Sequence, residues 1–110
     1  MSGRFEYYKD ETGAFRFRLL GANGEVILTS DAYKSKLGCT KGIESVRANS
    51  SNPDNFVKDL SPQGGHSFKL ISLNGRVIGN SRTFATAADY SSAIVAVARL
   101  ARGATVDDRT

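Results

Sequence analysis

Cationic side chains alternate with apolar ones in two similar segments of this chain. Arg16 and Arg18 stand between apolar residues in FRFRLL, and Lys69 stands between apolar residues in the related segment FKLI. Because alternate residues of a β-strand point to the same face of a sheet, the three cations are expected on one surface. Such a surface is a candidate contact for a polyanion such as nucleic acid, or for a protein partner. The alternative is that these charges keep an exposed sheet soluble and discourage edge-to-edge pairing.

Residues with catalytic or metal-binding chemistry are sparse. The chain has one histidine, His66, one cysteine, Cys39, and 11 acidic residues placed mostly in turns, whereas acid–base and metal sites gather several ionisable groups. The repeat described below aligns His66 with an inward strand position, which favours a partly buried histidine, and Cys39 lies among apolar helical positions, which favours a buried, inert thiol. We therefore predict no catalytic residue, no metal site and no cofactor, and we expect that the chain is not an enzyme.

The elements that hold these side chains are duplicated. A shift of 51 positions superimposes the chain on itself without a gap, and nine of the 30 aligned positions from 17 to 46 are identical. Most of the identical residues are apolar or belong to turns, which is what a repeated structural unit preserves. We predict one domain of two repeats, residues 1–51 and 52–102, followed by a disordered tail at 103–110, which is polar and aperiodic.

The period of the apolar residues predicts three strands and one helix in each repeat. In repeat one, residues 5–9 and 15–19 alternate as half-buried strands do, and residues 25–29 run back as a third strand after an Asn-Gly turn. Cys39, Ile43 and Val46 then share one side of a helix that Ser35 caps. The predicted fold class is α+β: a tandem duplication of a β-β-β-α unit, with antiparallel sheets packed with two helices in a pseudo-twofold arrangement.

Length and composition place the chain among ordinary globular domains. It has 110 residues, of which 40% are apolar and 24% charged. The net charge of +4 is divided evenly between the two halves, so there is no basic tail. No apolar run reaches the roughly 18 residues of a membrane span, and the opening MSGRFEYYKD has no apolar signal core. We expect no membrane association and a cytoplasmic location.

Two stretches carry a resemblance to a known family: FRFRLLGANGEVILTSDAYKSKLGCTKGIESVRANS in the first copy and FKLISLNGRVIGNS in the second. Both are similar to the repeat of the YegP-like family, small bacterial and archaeal proteins of unknown function. The resemblance covers nearly the whole chain and implies a tandem β-β-β-α duplication. It also implies that relatives with one repeat pair as dimers, whereas this chain supplies both halves. It implies no activity and carries over no catalytic residue.

Two functions from different classes stand as hypotheses. The first is a small binding or protein-interaction module that uses the sheet face or a groove between the repeats. The alternative is a weak nucleic-acid-binding protein with contacts from Arg16, Arg18 and Lys69, whose affinity would fall steeply with ionic strength. We expect a monomer with internal pseudo-twofold symmetry, because each repeat can cover the other. The sequence leaves open the protein or ligand partner and whether strand edges pair between chains.

Overall fold

The strands and helices of the computed structural model follow the predicted order, with one strand added at the end. The structure describes residues 3–60 and 62–110; Met1, Ser2 and Ser61 lie outside the described residues. None of the helices in this part of the chain is long and apolar enough to cross a membrane. The elements are β1 (Arg4–Lys9), β2 (Phe15–Leu20), β3 (Val26–Thr29), α1 (Lys36–Asn49), a 3-10 turn (Pro53–Asn55), β4 (Phe56–Leu60), β5 (His66–Ile71), β6 (Val77–Ser81), α2 (Ala87–Gly103) and β7 (Thr105–Asp108).

All of these strands belong to one sheet, in the order β4-β5-β6-β3-β2-β1-β7. The two repeats are joined at its centre, where β3 and β6 pair antiparallel and Thr29 lies opposite Asn80. These two residues are equivalent under the 51-residue shift, so a pseudo-twofold axis passes through their pair. The α+β class and the tandem β-β-β-α architecture are confirmed, and the sheets of the two repeats form one continuous sheet.

Turn glycines and helix caps set the element boundaries. The glycine of each Asn-Gly turn has a φ of 81°, a conformation that residues with a Cβ rarely adopt. Ser35 accepts a hydrogen bond from the Gly38 amide at 3.0 Å and so caps α1, as predicted. At the equivalent position of repeat two, Thr86 accepts a hydrogen bond from the Asp89 amide at 3.1 Å and caps α2.

The core lies between one face of the sheet and the two helices, which contact each other. Each helix also covers strands of the other repeat: α1 contacts β5 and β6, and α2 contacts β1 and β3. Buried side chains of both repeats meet in this core, including the equivalent pairs Phe17 and Phe68, Leu19 and Leu70, Cys39 and Tyr90, and Val46 and Val97. Each repeat therefore depends on the other to remove its apolar face from water.

At the pseudo-twofold axis the two repeats are complementary rather than identical. Leu28 of β3 is fully buried, whereas the equivalent residue of β6 is Gly79. A Cβ at Gly79 would lie 2.8 Å from Cγ and Cδ2 of Leu28, well inside the usual separation of non-bonded carbons. Leucines at both positions would clash, so a single leucine fills the space beside the axis.

The predicted disorder of the tail at 103–110 is wrong. Thr105–Asp108 form β7, which pairs in parallel with β1. The Arg109 amide continues this pairing by donating to the Tyr7 carbonyl at 2.8 Å. This strand could not be predicted from apolar periodicity, because it is held by backbone hydrogen bonds to the edge of β1, which require no such pattern.

A double-mutant cycle tests the packing at the axis. Gly79→Ala should destabilise the wild-type chain by about 1–3 kcal/mol, because the added methyl group overpacks against Leu28. In a Leu28→Ala chain the same substitution should cost less than about 0.5 kcal/mol, since the clashing atoms are gone and glycine is itself unfavourable in a strand. Urea unfolding of the four chains measures the difference. Equal costs in both backgrounds would contradict the complementary packing.

Candidate functional site

The three predicted cations lie on the sheet face opposite the described helices, which we call the outer face. Strand register aligns Arg18, Thr29, Asn80 and Lys69 in one row across β2, β3, β6 and β5. Arg16 is two residues before Arg18 on β2 and so shares its face. The alternation predicted from the sequence therefore places all three on one surface, and the contacts of each decide whether they act together.

Arg16 is engaged within its own repeat. Its Nε donates to Asp10 Oδ2 at 2.8 Å, and its Nη1 donates to the Ser30 carbonyl at 3.3 Å. Asp10 also accepts hydrogen bonds from the Thr12 hydroxyl and from the amides of Thr12 and Ala14 in the β1–β2 turn. The Thr12 hydroxyl and then Arg16 hold the pKa of Asp10 well below its usual range. Arg16 therefore stabilises a turn, and its charge is compensated.

Lys69 stands apart from the arginines. It is exposed on β5, three strand spacings from Arg18, which is about 14 Å. Within residues 3–60 and 62–110, no acidic side chain forms an ion pair with Lys69. The structure places the three cations on one face but does not gather them into one site.

Arg18 belongs to a different group of charges, centred on Glu6 of β1. We call Arg4, Glu6, Arg18 and Arg109 the Glu6 cluster. Glu6 is only 3% exposed; its Oε2 lies 2.9 Å from Arg4 Nε and 3.2 Å from Arg109 Nη2, and its Oε1 lies 3.1 Å from Arg18 Nε. Asp107, which pairs with Glu6 in the sheet, holds Arg109 Nε at 2.8 Å. One buried carboxylate thus orients three guanidinium groups.

The cluster forms because β1 has a neighbouring strand on each side. β2 places Arg18 opposite Glu6, and β7 brings Arg109 to the same carboxylate. The hydrogen bond from Arg4, followed by that from Arg18 and by the charge of Arg109, outweighs the effect of burial and holds the pKa of Glu6 below its ordinary value. Glu6 is therefore ionised at neutral pH.

Two of the arginines keep donors for a further ligand. Arg4 and Arg18 reach Glu6 through Nε, and their side chains are 40% and 39% exposed. Since a guanidinium group has five N–H donors, contact through Nε leaves the Nη groups for other acceptors. The Arg18 guanidinium also lies 4.8 Å from the centre of the Tyr8 ring, which further orients it. The cluster can offer preoriented donors to a carboxylate or a phosphate.

Sequence reasoning identified Arg18 but missed Arg4, Glu6 and Arg109. An acid in an alternating strand is normally exposed, and the burial of Glu6 requires β7, a strand that the sequence does not predict. Arg109 was missed for the same reason. A partial signal was present, because the register of the β1–β2 hairpin pairs Glu6 with Arg18.

Within the described residues, Cys39 and His66 do not form a second site of this kind. Cys39 is buried, as predicted, and burial raises the pKa of its thiol to about 11. His66 begins β5 in a half-buried position, with its ring 6.0 Å from that of Tyr90. In the part of the chain that the structure describes, no three His, Cys, Asp or Glu side chains come together in a way that could hold a metal ion.

A cleft between the repeats lies on the helix side of the sheet, away from the Glu6 cluster. It has a volume of about 770 Å³ and separates α1 from the β5–β6 turn. Its lining is mainly apolar and includes Ile78, and the polar side chains among it include Lys41, Asn49, Asn74 and Arg76. This is the groove between the repeats, and a mainly apolar lining with a few polar groups is typical of small-molecule sites. It contains none of the predicted contact residues.

One family model matches both repeats. The family described as "Domain of unknown function (DUF1508)" matches residues 10–56 and again residues 61–108. The two matches show that the chain contains two copies of the same unit. The finer division into residues 1–51 and 52–102 stays a prediction.

Similar proteins include both two-repeat and shorter relatives. UPF0339 protein YegP of Escherichia coli (strain K12) is 40% identical over 110 residues, which is 100% of each chain. The solution NMR structure of E. coli yegP, titled a protein of unknown function, matches with a TM-score of 0.94, covering 100% of this chain and 95% of that one. A UPF0339 protein of Treponema denticola is 55% identical over 60 residues, which is 54% of this chain but 100% of that protein.

The pH dependence of stability tests the electrostatics of the Glu6 cluster. Glu6→Gln should lower the free energy of unfolding at neutral pH by about 1–2 kcal/mol, a modest loss because the arginines are partly solvated. A carboxyl whose pKa is lowered by folding stabilises the protein above its unfolded pKa, about 4.3 for Glu, and this stabilisation is lost as the pH falls through the folded pKa. The difference between wild type and variant should therefore shrink below about pH 4.

Glu44→Gln provides the matched control for this measurement. Glu44 is 71% exposed and pairs with Arg47 on the surface of α1, so its substitution should change stability by less than about 0.5 kcal/mol at any pH. Urea unfolding between pH 2.5 and pH 7 compares the three chains. A difference between wild type and Glu6→Gln that is the same at every pH would contradict an ionised, arginine-stabilised Glu6.

Proposed function

Since the chain belongs to the family described as "Domain of unknown function (DUF1508)", we propose a function from its structure: a small protein-interaction module whose Glu6 cluster binds a partner through that partner's carboxylate groups. The observation that carries the proposal is one buried carboxylate surrounded by three arginines on an open sheet face. The relatives described above are themselves uncharacterised proteins, so the proposal rests on this geometry.

Stability of the fold alone does not account for the cluster. Under the 51-residue shift, Glu6 corresponds to Val57 and Arg18 to Lys69, so repeat two forms the same strands without the carboxylate and its ion pairs. A buried ion pair also stabilises a fold no more than well-packed apolar residues do. The cluster is better explained by what it can bind.

The chemistry of the cluster favours an acidic protein partner. With Asp107 included, three cations face two anions, which leaves one net positive charge beside the free Nη donors of Arg4 and Arg18. Arginine and tyrosine are enriched among the residues that contribute most to protein interfaces, and Tyr8 lies beside Arg18. A carboxylate can accept two hydrogen bonds from one guanidinium group, which adds directional specificity.

Nucleic-acid binding through Arg16, Arg18 and Lys69 receives less support from the structure. Phosphate-backbone binding uses several uncompensated cations, but Arg16 is paired with Asp10 and Arg18 with Glu6. The aromatic residues of β2 also point into the core, where Phe17 is fully buried, instead of providing a stacking surface for bases. Binding of nucleic acid is therefore the alternative that the experiment must distinguish from binding of an acidic protein.

We further propose that the protein acts without catalysis, as a monomer in the cytoplasm. The absence of catalysis is supported by the separation of Cys39 and His66 from the Glu6 cluster. The monomer is supported by the junction at Thr29 and Asn80, since the two repeats already supply the contacts that two single-repeat chains would share. The location rests on the sequence alone.

Two variants with the same change of charge test the proposed function. Arg4→Gln/Arg18→Gln removes the free donors of the cluster, whereas Arg16→Gln/Lys69→Gln removes two cations of the same face outside it. Binding of a fluorescent octaglutamate peptide and of a DNA duplex is measured by anisotropy at low and high salt. The first variant should lose about tenfold or more in peptide affinity, because charge-assisted hydrogen bonds are removed. The second should stay within about threefold of wild type.

The same measurement separates the two hypotheses. The nucleic-acid alternative is correct if DNA binds more tightly than the peptide, if its affinity falls steeply with salt, and if both double variants weaken DNA binding equally. If the peptide binds the Arg4→Gln/Arg18→Gln chain as tightly as wild type, the Glu6 cluster is not the contact. Thermal unfolding of each variant shows that binding is compared between folded chains.

A further inference from the structure

The two edges of the sheet differ although β1 and β4 are equivalent strands of the two repeats. β1 and β4 begin the two repeats, and each is followed by the same hairpin. On one side β7 pairs in parallel with β1, while on the other side β4 is itself the edge of the sheet in the described residues. The pseudo-twofold axis therefore relates an occupied edge to an open one.

The burial of equivalent side chains follows this difference. Phe5 of β1 is fully buried, whereas its equivalent Phe56 is partly exposed. Glu6 is 3% exposed, but its equivalent Val57 is 45% exposed. The edge strand of repeat two thus exposes an apolar surface to solvent. In repeat one, β7 covers the equivalent surface.

The helix beside the open edge shows the same difference. On α1, Ile43 is buried, and it lines a cleft of about 310 Å³ together with Val106 of β7. Its equivalent on α2, Ile94, is partly exposed and lines a cleft of about 250 Å³ with Phe56 and Val95. Val95 is 55% exposed. Val106 of β7 thus lines the cleft on α1, whereas in the described residues no strand beyond β4 lines the cleft on α2.

We propose that the β4 edge accepts, as an additional parallel strand, an extended segment of a partner protein with two consecutive apolar residues followed by an acidic one. The register of β7 on β1 defines the positions. The first apolar residue would lie opposite Phe56 and enter the cleft on α2, and the second would lie opposite the exposed Val57. The acidic residue would lie opposite Lys58, whose ammonium group is on the helix side, 4.9 Å from the Tyr90 ring.

Charge at the cleft supports an acidic partner segment. Arg99 and Arg102 are exposed and line the cleft, and Lys58 lies on the neighbouring strand. Asp54 and Asp59 are also exposed at this edge, so three cations face two anions. Acidic residues would be favoured where the added strand passes Arg99, Arg102 and Lys58. Backbone hydrogen bonds to the open edge would supply affinity and the side-chain positions would supply specificity, as in other cases of β-strand addition.

The C-terminal strand of a second copy is a poorer occupant. On its own edge β7 is held by Lys36, which donates to Asp108 at 3.0 Å, and by Arg47, which donates to the Ala104 carbonyl at 3.0 Å. The equivalents of Lys36 and Arg47 on α2 are Ala87 and Ala98. The same register would also place Asp107 opposite apolar Val57. The tail therefore fits its own edge and not the open one.

A short peptide tests this proposal on the full chain. The probe is the peptide acetyl-Glu-Ser-Val-Val-Asp-Ser-amide. Its binding is followed through the backbone amide chemical shifts of the protein, at peptide concentrations up to about 5 mM, because a single added strand binds weakly. The control peptide has lysine at both acidic positions. We expect shifts in β4 and around Val95 on α2, and at least about fivefold weaker binding of the control peptide.

Substitutions at exposed positions test where on the protein the peptide binds. Val95→Asp and Lys58→Glu should each weaken binding about fivefold or more, since each places a negative charge beside the acidic segment. Leu73→Asp, at a position 92% exposed on the β5–β6 turn, should leave it within about twofold. Shifts centred on β1 and β7, no saturable shift, or equal weakening by Leu73→Asp would overturn the proposal. Dimerisation through β4 without peptide, measured by sedimentation, would assign the edge to a second copy instead.

Discussion

The cross-covering of each repeat by the helix of the other is the contact on which this structure depends. α1 lies over β5 and β6, and α2 lies over β1 and β3. A unit of about 50 residues is only marginally stable by itself, and here the two units share one core. For each helix to cover strands of the other repeat, β3 and β6 must pair at the centre of the sheet, with Thr29 opposite Asn80. That pairing leaves the outer face and one edge open.

The distinctive chemistry of the chain lies where its two halves differ. The shared core requires similar apolar residues in both repeats, but the surface has no such requirement. Beside the axis Leu28 packs on Gly79, which makes the halves complementary. On the outer face Glu6 gathers three arginines in repeat one, while Val57 is exposed at the same position of repeat two. Duplication thus fixes the fold, and divergence provides the two different surfaces that we propose as partner contacts.

The repeated fold could be predicted because it is encoded locally. Alternation, the Asn-Gly turns and the Ser35 cap each act within a few residues, and all are confirmed. β7 could not be predicted, because it depends on backbone pairing with a strand about 100 residues earlier. The Glu6 cluster depends on β7, so the sequence revealed only Arg18. Arg16 was predicted as a contact from its alternation, which does not show that Asp10 compensates its charge.

Native-state hydrogen exchange tests the shared core most directly. The slowest amides of β2 and of β5, equivalent strands in different repeats, are followed at increasing denaturant. Because each repeat is covered by the other, both sets should exchange through one global opening, with free energies equal within about 0.5 kcal/mol. If β5 opened at a free energy more than about 2 kcal/mol below that of β2, while β2 stayed protected, the repeats would be separate folding units and the account would be wrong.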